Sequence, residues 1–337
     1  MAGPADPRRS DSDGPVRYRR MRFEFPQMYV CLDPERVDAA NRSMGTGNGF
    51  RDDFRADEAG GRGTAYIRAQ SRWVTARAEG IRQLLSCFRR PDVPRRQVVV
   101  DLLGGDGLVS RVASGLGLSD LAIVTGDASA DMVQAAWDAG LPAVHQRAER
   151  SLFRTGSVDG VLLAYGSHHI DRDQRLDVVR EAHRVLRPGG VFVLHDFPVG
   201  SPVDEWFSKV VDAYSRTGHD HEHFTEAEIG DLLREADFGT AEVTQISDPY
   251  EVTGDSRDAA WLGMGEYLVD MYGLTKATEM FGRTGACAWA AAQADELFRY
   301  PDETLGADRS RVEYDEFTDR WRCVVPRRAV VGIGVKA

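Results

Sequence analysis

Three consecutive valines, Val98-Val99-Val100, run into Asp101 and then into Leu102-Leu103-Gly104-Gly105-Asp106-Gly107. A short apolar run bounded by glycine reads as a strand buried on both faces. The glycine turn after it lets backbone N–H groups approach a ligand with no side chain between them. The rhythm recurs downstream. Leu121 to Val124 precedes a helical Asp131 to Ala139, and Val158 to Ala164 precedes a helix from about Arg172 to Leu186. After Arg187-Pro188-Gly189-Gly190, which ends that helix, comes the run Val191 to Leu194. Strands alternating with helices predict an α/β fold, a mostly parallel sheet covered on both faces. In such a sheet ligands bind beyond the carboxyl ends of the strands, and the Gly104 to Gly107 turn lies there.

Composition narrows the ligand. The chain has 337 residues, with 42 Lys or Arg against 53 Asp or Glu and a formal net charge of −11. Nucleic-acid binding rests on basic patches, so this balance predicts no nucleic acid and a small or neutral substrate. No apolar run reaches the ~18 residues of a membrane span, so no membrane partner is expected. Met1 to Asp13 shows no apolar segment of the signal-peptide kind. Cys31, Cys87, Cys287 and Cys323 form no C-x-x-C pair, which argues against a zinc knuckle or a disulfide framework and fits a cytoplasmic protein.

The length divides into a mobile tail (1–22), an N-terminal cap and helix (23–95), an α/β core (96–254), a helical insertion (255–300) and a return to the core with a terminal strand (301–337). Within the second segment, Ala65 to Cys87 has the apolar spacing of one amphipathic helix. Thr225-Glu226-Ala227-Glu228 is close to a capping box and opens a helix to about Ala236.

The glycine spacing after Asp101 does not fit the G-x-G-x-x-G of a dinucleotide site. It resembles motif I of the class I S-adenosylmethionine (SAM)-dependent methyltransferases, D-x-G-x-G-x-G, with Leu103 at the first glycine. Gly126-Asp127-Ala128-Ser129-Ala130-Asp131-Met132 is similar to the family's next segment. Ser157 to Ala164 resembles its fourth strand, and Arg184 to Val193 its turn into the fifth. The resemblance covers about Val98 to Ile246 plus the terminal strand. It implies a Rossmann-like fold with a seven-stranded, mostly parallel sheet and SAM as cofactor. It places the cofactor on Asp101, Leu103, Gly104, Gly105, Gly107, Asp127, Ala128, Met132, Ala148, Glu149 and Ala164, with Asp127 holding the ribose. Arg147 stands where family members often carry the Asp that contacts adenine.

SAM is a sulfonium with its leaving group already activated, so in-line positioning supplies most of what methyl transfer needs. A base for the acceptor would come from the ends of the fourth and fifth strands, where Tyr165, His168, His169 and His195 are the candidates. The run His219-Asp220-His221-Glu222-His223 has metal-ligand chemistry, but it directly precedes the N-cap Thr225, so a solvated or substrate-facing loop and no metal are expected. Trp261, Met264, Tyr267, Met271 and Tyr272, with Tyr29 and Trp73, are candidates for a cover over the sulfonium. The function expected is methyl transfer to a small molecule in specialised, natural-product metabolism, with a homodimer allowed. The alternative is a SAM-consuming cyclase, which releases methylthioadenosine and a small-ring amino acid.

Overall fold

The computed structural model describes residues 18–43, 52–90, 93 and 95–337. The valine run forms β1 (Gln97–Asp101), followed in chain order by β2 (Leu121–Asp127), β3 (Ala143–His145), β4 (Val158–Leu163), β5 (Leu186–Asp196) and β6 (Thr240–Ser247). Then come β7 (Tyr250–Gly254), β8 (Arg311–Asp315), β9 (Arg320–Val325) and β10 (Arg328–Val335). Seven of them make one sheet in the order β3-β2-β1-β4-β5-β10-β6. β1 to β5 pair in parallel, and β10 enters antiparallel between β5 and β6. This is the mostly parallel, seven-stranded sheet that the resemblance implied.

Alternation along each strand divides the core. Val98, Val100, Val124, Val161, Leu163 and Phe192 face one side, packed with Trp137, Phe153 and Ile229. Val99, Ile123, Leu162 and Val193 face the other, against Ile81, Leu84, Leu85 and Leu108. The helix after Thr225 forms as read, over Glu226–Glu235, with the Thr225 hydroxyl accepting from the Glu228 N–H at 3.1 Å.

Four expectations need correction. Of the tail assigned to residues 1–22, residues 1–17 lie outside the described residues, and Tyr18 already opens a helix, Tyr18–Glu24. The segment from Phe23 is not a cap set apart from the core: it is helical over Pro26–Tyr29 and Pro34–Ser43, and it buries Met28, Leu32 and Val37 in the main core. The helix expected over Ala65 to Cys87 breaks at Trp73 (φ −123°, ψ 54°) into Gly63–Arg72, a tight turn Val74–Arg77 and Ala78–Ser86. The insertion is helical as expected, over Arg257–Tyr272 and Thr275–Leu297, but the chain flanking it is not all core: β7, from the segment assigned to the core, and β9 and β8, from the return segment, build a second, three-stranded sheet beside it.

That second sheet explains where the aromatic stripe goes. Met264, Tyr267, Met271 and Tyr272 are buried with Tyr250, Val252, Trp206 and Phe298 in a core of their own. An apolar stripe with a sheet to cover is satisfied there and is not left to roof a ligand.

Candidate active site

The glycine turn is shaped by its backbone. Gly105 (φ +55°) and Gly107 (φ +82°) hold left-handed conformations that a side chain would strain, and the Gly104 N–H donates to Gly126 O at 2.9 Å, tying the turn to β2. A Cβ at Gly105 would meet nothing nearer than Tyr66 Cε1 at 3.6 Å, so the turn opens onto free space. That space is a cavity of about 530 Å³, within the range of small-molecule sites.

Of the residues named for the cofactor, Leu103, Gly105, Asp127, Ala128, Met132, Ala148 and Glu149 line this cavity. Asp101, Gly104, Gly107 and Ala164 do not. Asp101 and Ala164 are buried behind the wall, and Asp101 Oδ2 lies 3.0 Å from where a Gly104 Cβ would be. Asp127 is clamped by the chain: Oδ2 accepts from the Gly105 N–H at 2.9 Å and Oδ1 from the Ser129 N–H at 2.8 Å. Its remaining lone pairs are available to hydroxyl donors, and the buried Ser129 Oγ beside it has no partner among the described residues. Burial, joined by the nearby Asp127 charge, raises the Asp101 carboxyl to about 8, and burial raises Asp127 to about 6. The position of the missing adenine acid is taken by an ion pair at the cavity wall, Arg147 with Glu149.

The cover comes from elsewhere than expected. Asp52, Asp53, Phe54 and Tyr66 line the cavity, whereas Tyr29, Trp73, Trp261, Met264, Tyr267, Met271 and Tyr272 do not. Phe54 packs edge-on against Tyr66 at 5.2 Å and against His169 at 5.9 Å. The Ala56 N–H donates to Asp131 Oδ2 at 2.7 Å, which fastens this strap to the helix after β2. Its sequence, Asp-Asp-Phe amid glycines and charges, carries no periodic signal. Only its landing on the glycine turn reveals it.

Of the four candidate bases, Tyr165 and His169 line the cavity, while His168 and His195 are buried behind it. Tyr165 (φ +61°) is a strained position for a bulky residue. Its hydroxyl donates to Asp248 Oδ1 at 3.1 Å, and burial, then the Asp248 charge, push its pKa well above the ordinary value. It therefore stays a phenol. His195 is directed to Asp248 Oδ2 at 3.2 Å. Beyond Tyr165 lies Arg77, 3% exposed, with its guanidinium 4.6 Å from the Tyr165 ring centroid and donating to the Tyr66 hydroxyl at 3.2 Å.

Of the two loop readings, the histidine run takes the one that faces the cavity. It folds back on His168 and His169, and His221 reaches the cavity wall with its Nε2 3.1 Å from His169 Nδ1. Behind them Asp196, at the end of β5, accepts from Nδ1 of His168 (3.0 Å) and of His223 (3.0 Å) and from two backbone N–H groups. Burial works to raise Asp196, but the His168 and His223 contacts outweigh it and hold it well below the usual carboxylate range. Burial, then the neighbouring imidazoles, push His169 well below the ordinary histidine value and His219 down to about 2.

Residues 100–194 match a family model described as a methyltransferase domain. No curated protein sequence matches the chain. Three solved structures have similar backbones. A SAM-dependent methyltransferase of Thermotoga maritima is 18% identical, with 81% of this chain and 97% of that one covered and a TM-score of 0.45. Phosphoethanolamine N-methyltransferase 2 of Haemonchus contortus, in complex with SAM, is 16% identical, with 86% and 60% covered and a TM-score of 0.48. A SAM-dependent methyltransferase of Archaeoglobus fulgidus is 11% identical, with 80% and 99% covered and a TM-score of 0.46.

Proposed function

From the premise that the chain carries a class I methyltransferase domain, we propose that the protein moves the methyl group of SAM to a small-molecule acceptor, in the cytoplasm and in specialised metabolism. The observation that carries this reading is one cavity with two chemically different ends. At one end are the open Gly105 backbone, the clamped Asp127 carboxylate and the unpartnered Ser129 hydroxyl. These fit a nucleoside with a ribose diol. At the other end Asp53, His169 and His221 make a polar wall. Phe54 and Tyr66 line the space between, and a cavity of about 530 Å³ suits a small acceptor.

SAM supplies an electrophilic methyl carbon on a sulfonium, and the leaving group departs as a neutral thioether. The chain's part is positioning and exclusion of water, which can supply ~7–11 kcal/mol of barrier reduction. Asp127 orients the ribose. The Asp101 carboxyl, raised to about 8, favours the cationic amino group at the methionine end once it ionises, and Arg77, behind Tyr66 and Tyr165, favours its carboxylate. The aromatic faces of Phe54 and Tyr66 shield the sulfonium from solvent.

Incubation of the purified protein with SAM, followed by mass spectrometry, tests the reading. S-Adenosylhomocysteine that forms only when an acceptor is added supports methyl transfer. Methylthioadenosine formed from SAM alone overturns it in favour of cyclisation of the cofactor's own aminobutyryl chain.

A further inference from the structure

Five imidazoles converge at the polar end of the cavity. Ring centroids lie 4.7 Å apart for His168 and His169, 5.1 Å for His168 and His219, 5.7 Å for His169 and His219, and 4.3 Å for His169 and His221. His223 packs 4.5 Å from His168, and the Phe207 ring closes the buried side 4.2 Å from His219.

His168 and His219 are 3% and 9% exposed, and the Nε2 of each is buried with no hydrogen-bond partner among the described residues. Leaving such atoms bare is unfavourable, and each calls for a partner. For His168 the chemistry of that atom is fixed. An ionised Asp196 can only accept, so the His168 proton sits on Nδ1 and Nε2 presents a lone pair. A carboxylate holding the far nitrogen of an imidazole in this way is the usual support of a metal-bound histidine. His219 is held by its own backbone, its N–H donating to Asp212 Oδ1 at 2.8 Å.

One ring nitrogen from each of His168, His169 and His219 lies within 4.8 Å of the other two. Nitrogens bound to a tetrahedral ion at about 2.0–2.1 Å are separated by about 3.4 Å, so modest side-chain rotation closes the set. We propose that His168, His169 and His219 bind a divalent first-row transition-metal ion, with an open coordination position toward the cavity. Three imidazoles plus one open position is the pattern of a reactive site, not a closed structural one. His169 is the ligand at the cavity wall, so the ion's open side takes an oxygen of the acceptor, a hydroxyl or a carboxylate. Asp53 and His221, which form a second trio with His169, stand on the cavity side as outer supports. The Asp196 and Asp53 charges favour a dication. Arg62 opposes it, but its guanidinium is turned to Met271 O at 2.9 Å and to the Phe54 ring at 4.3 Å.

The site adds to the methyl-transfer reading without depending on it, and the two are tested on the same samples. The full-length protein is stripped with a chelator, dialysed and titrated with cobalt(II) chloride while the visible d–d absorption is followed. SAM-induced thermal stabilisation is measured in parallel. The expected result is one cobalt per chain, displaced by zinc, with His219→Ala and His169→Ala weakening binding about a hundredfold or more and Asp196→Asn about 10–100-fold. His221→Ala is expected to weaken it less, and His183→Ala, outside the cluster, not at all. No cobalt uptake by the wild type overturns the proposal even where SAM still stabilises the protein. Unchanged cobalt affinity in His219→Ala overturns it too, as does a His221→Ala variant that loses the ion while His219→Ala keeps it. If a variant loses both cobalt and SAM responses through misfolding, the wild-type titration decides.

Discussion

Asp196 and Asp248 are both fully buried at the carboxyl edge of the sheet, one ending β5 and the other just past β6, yet they are neutralised in opposite ways. Asp248 faces a permanent cation. Arg327 donates to its Oδ2 at 2.8 Å and to its carbonyl at 2.9 Å, and His195 and Tyr165 complete the shell. Asp196 has, among the described residues, only imidazole, hydroxyl and backbone donors. A guanidinium locks a carboxylate in place, whereas imidazoles keep a second nitrogen for another partner. The first arrangement joins the two sheets. The second leaves ring nitrogens without hydrogen-bond partners among the described residues, buried behind the cavity wall.

The sharpest way to break this contrast is Arg327→Met. It leaves Asp248 buried without its cation, with an expected loss of about 3–5 kcal/mol in denaturant unfolding. Asp196→Asn keeps the shape and several acceptor contacts, so a smaller loss is expected, about 1–3 kcal/mol, together with the weakened cobalt binding. Equal losses in the two variants would mean that both acids are structural locks.

A second pair of buried carboxylates sharpens the comparison by having neither kind of partner. Asp101 and Asp127 are raised to about 8 and about 6, above their unfolded values. Between about pH 4 and pH 8 the folded state therefore binds more protons than the unfolded one. The stability these groups contribute is full at low pH and is lost as pH rises through their folded values. Unfolding followed at pH 6 and at pH 8.5 checks the sign, and Asp101→Asn flattens the difference. SAM affinity runs the other way and rises across the same window, because the ionised Asp101 favours a cationic ligand. The smallest effect is expected at a helix cap, where Thr225→Ala removes one hydrogen bond and costs ~1 kcal/mol.

The glycine-turn end of the cavity was legible because its chemistry is contiguous. Asp101, the glycines and Asp127 lie in short motifs on adjoining strands, and strand periodicity puts them side by side. Leu103, at the first glycine position of the motif, is simply part of the cavity wall. The cover and the histidine cluster were not legible for the opposite reason. Asp53, His169 and His221 are brought together by tertiary packing across more than one hundred and fifty residues, and no local pattern records such a meeting. His219 to His223 looked like a solvated string because alternating His and acid is polar throughout. Asp196 reverses that by giving the His223 ring a buried acceptor, shared with His168. The insertion's aromatic stripe was read correctly as a helix face but assigned to the wrong surface, since the sheet of β7, β9 and β8 that it covers has strands too short and too scattered to stand out.

The most direct measurement is calorimetric titration of SAM into wild-type protein and Asp127→Ala, with folding checked by circular dichroism. One SAM per chain in the wild type, and binding lost in a folded Asp127→Ala, is the result expected if the cavity above the glycine turn holds the methyl donor. No binding to the wild type, or equal affinity in the two proteins, would contradict it.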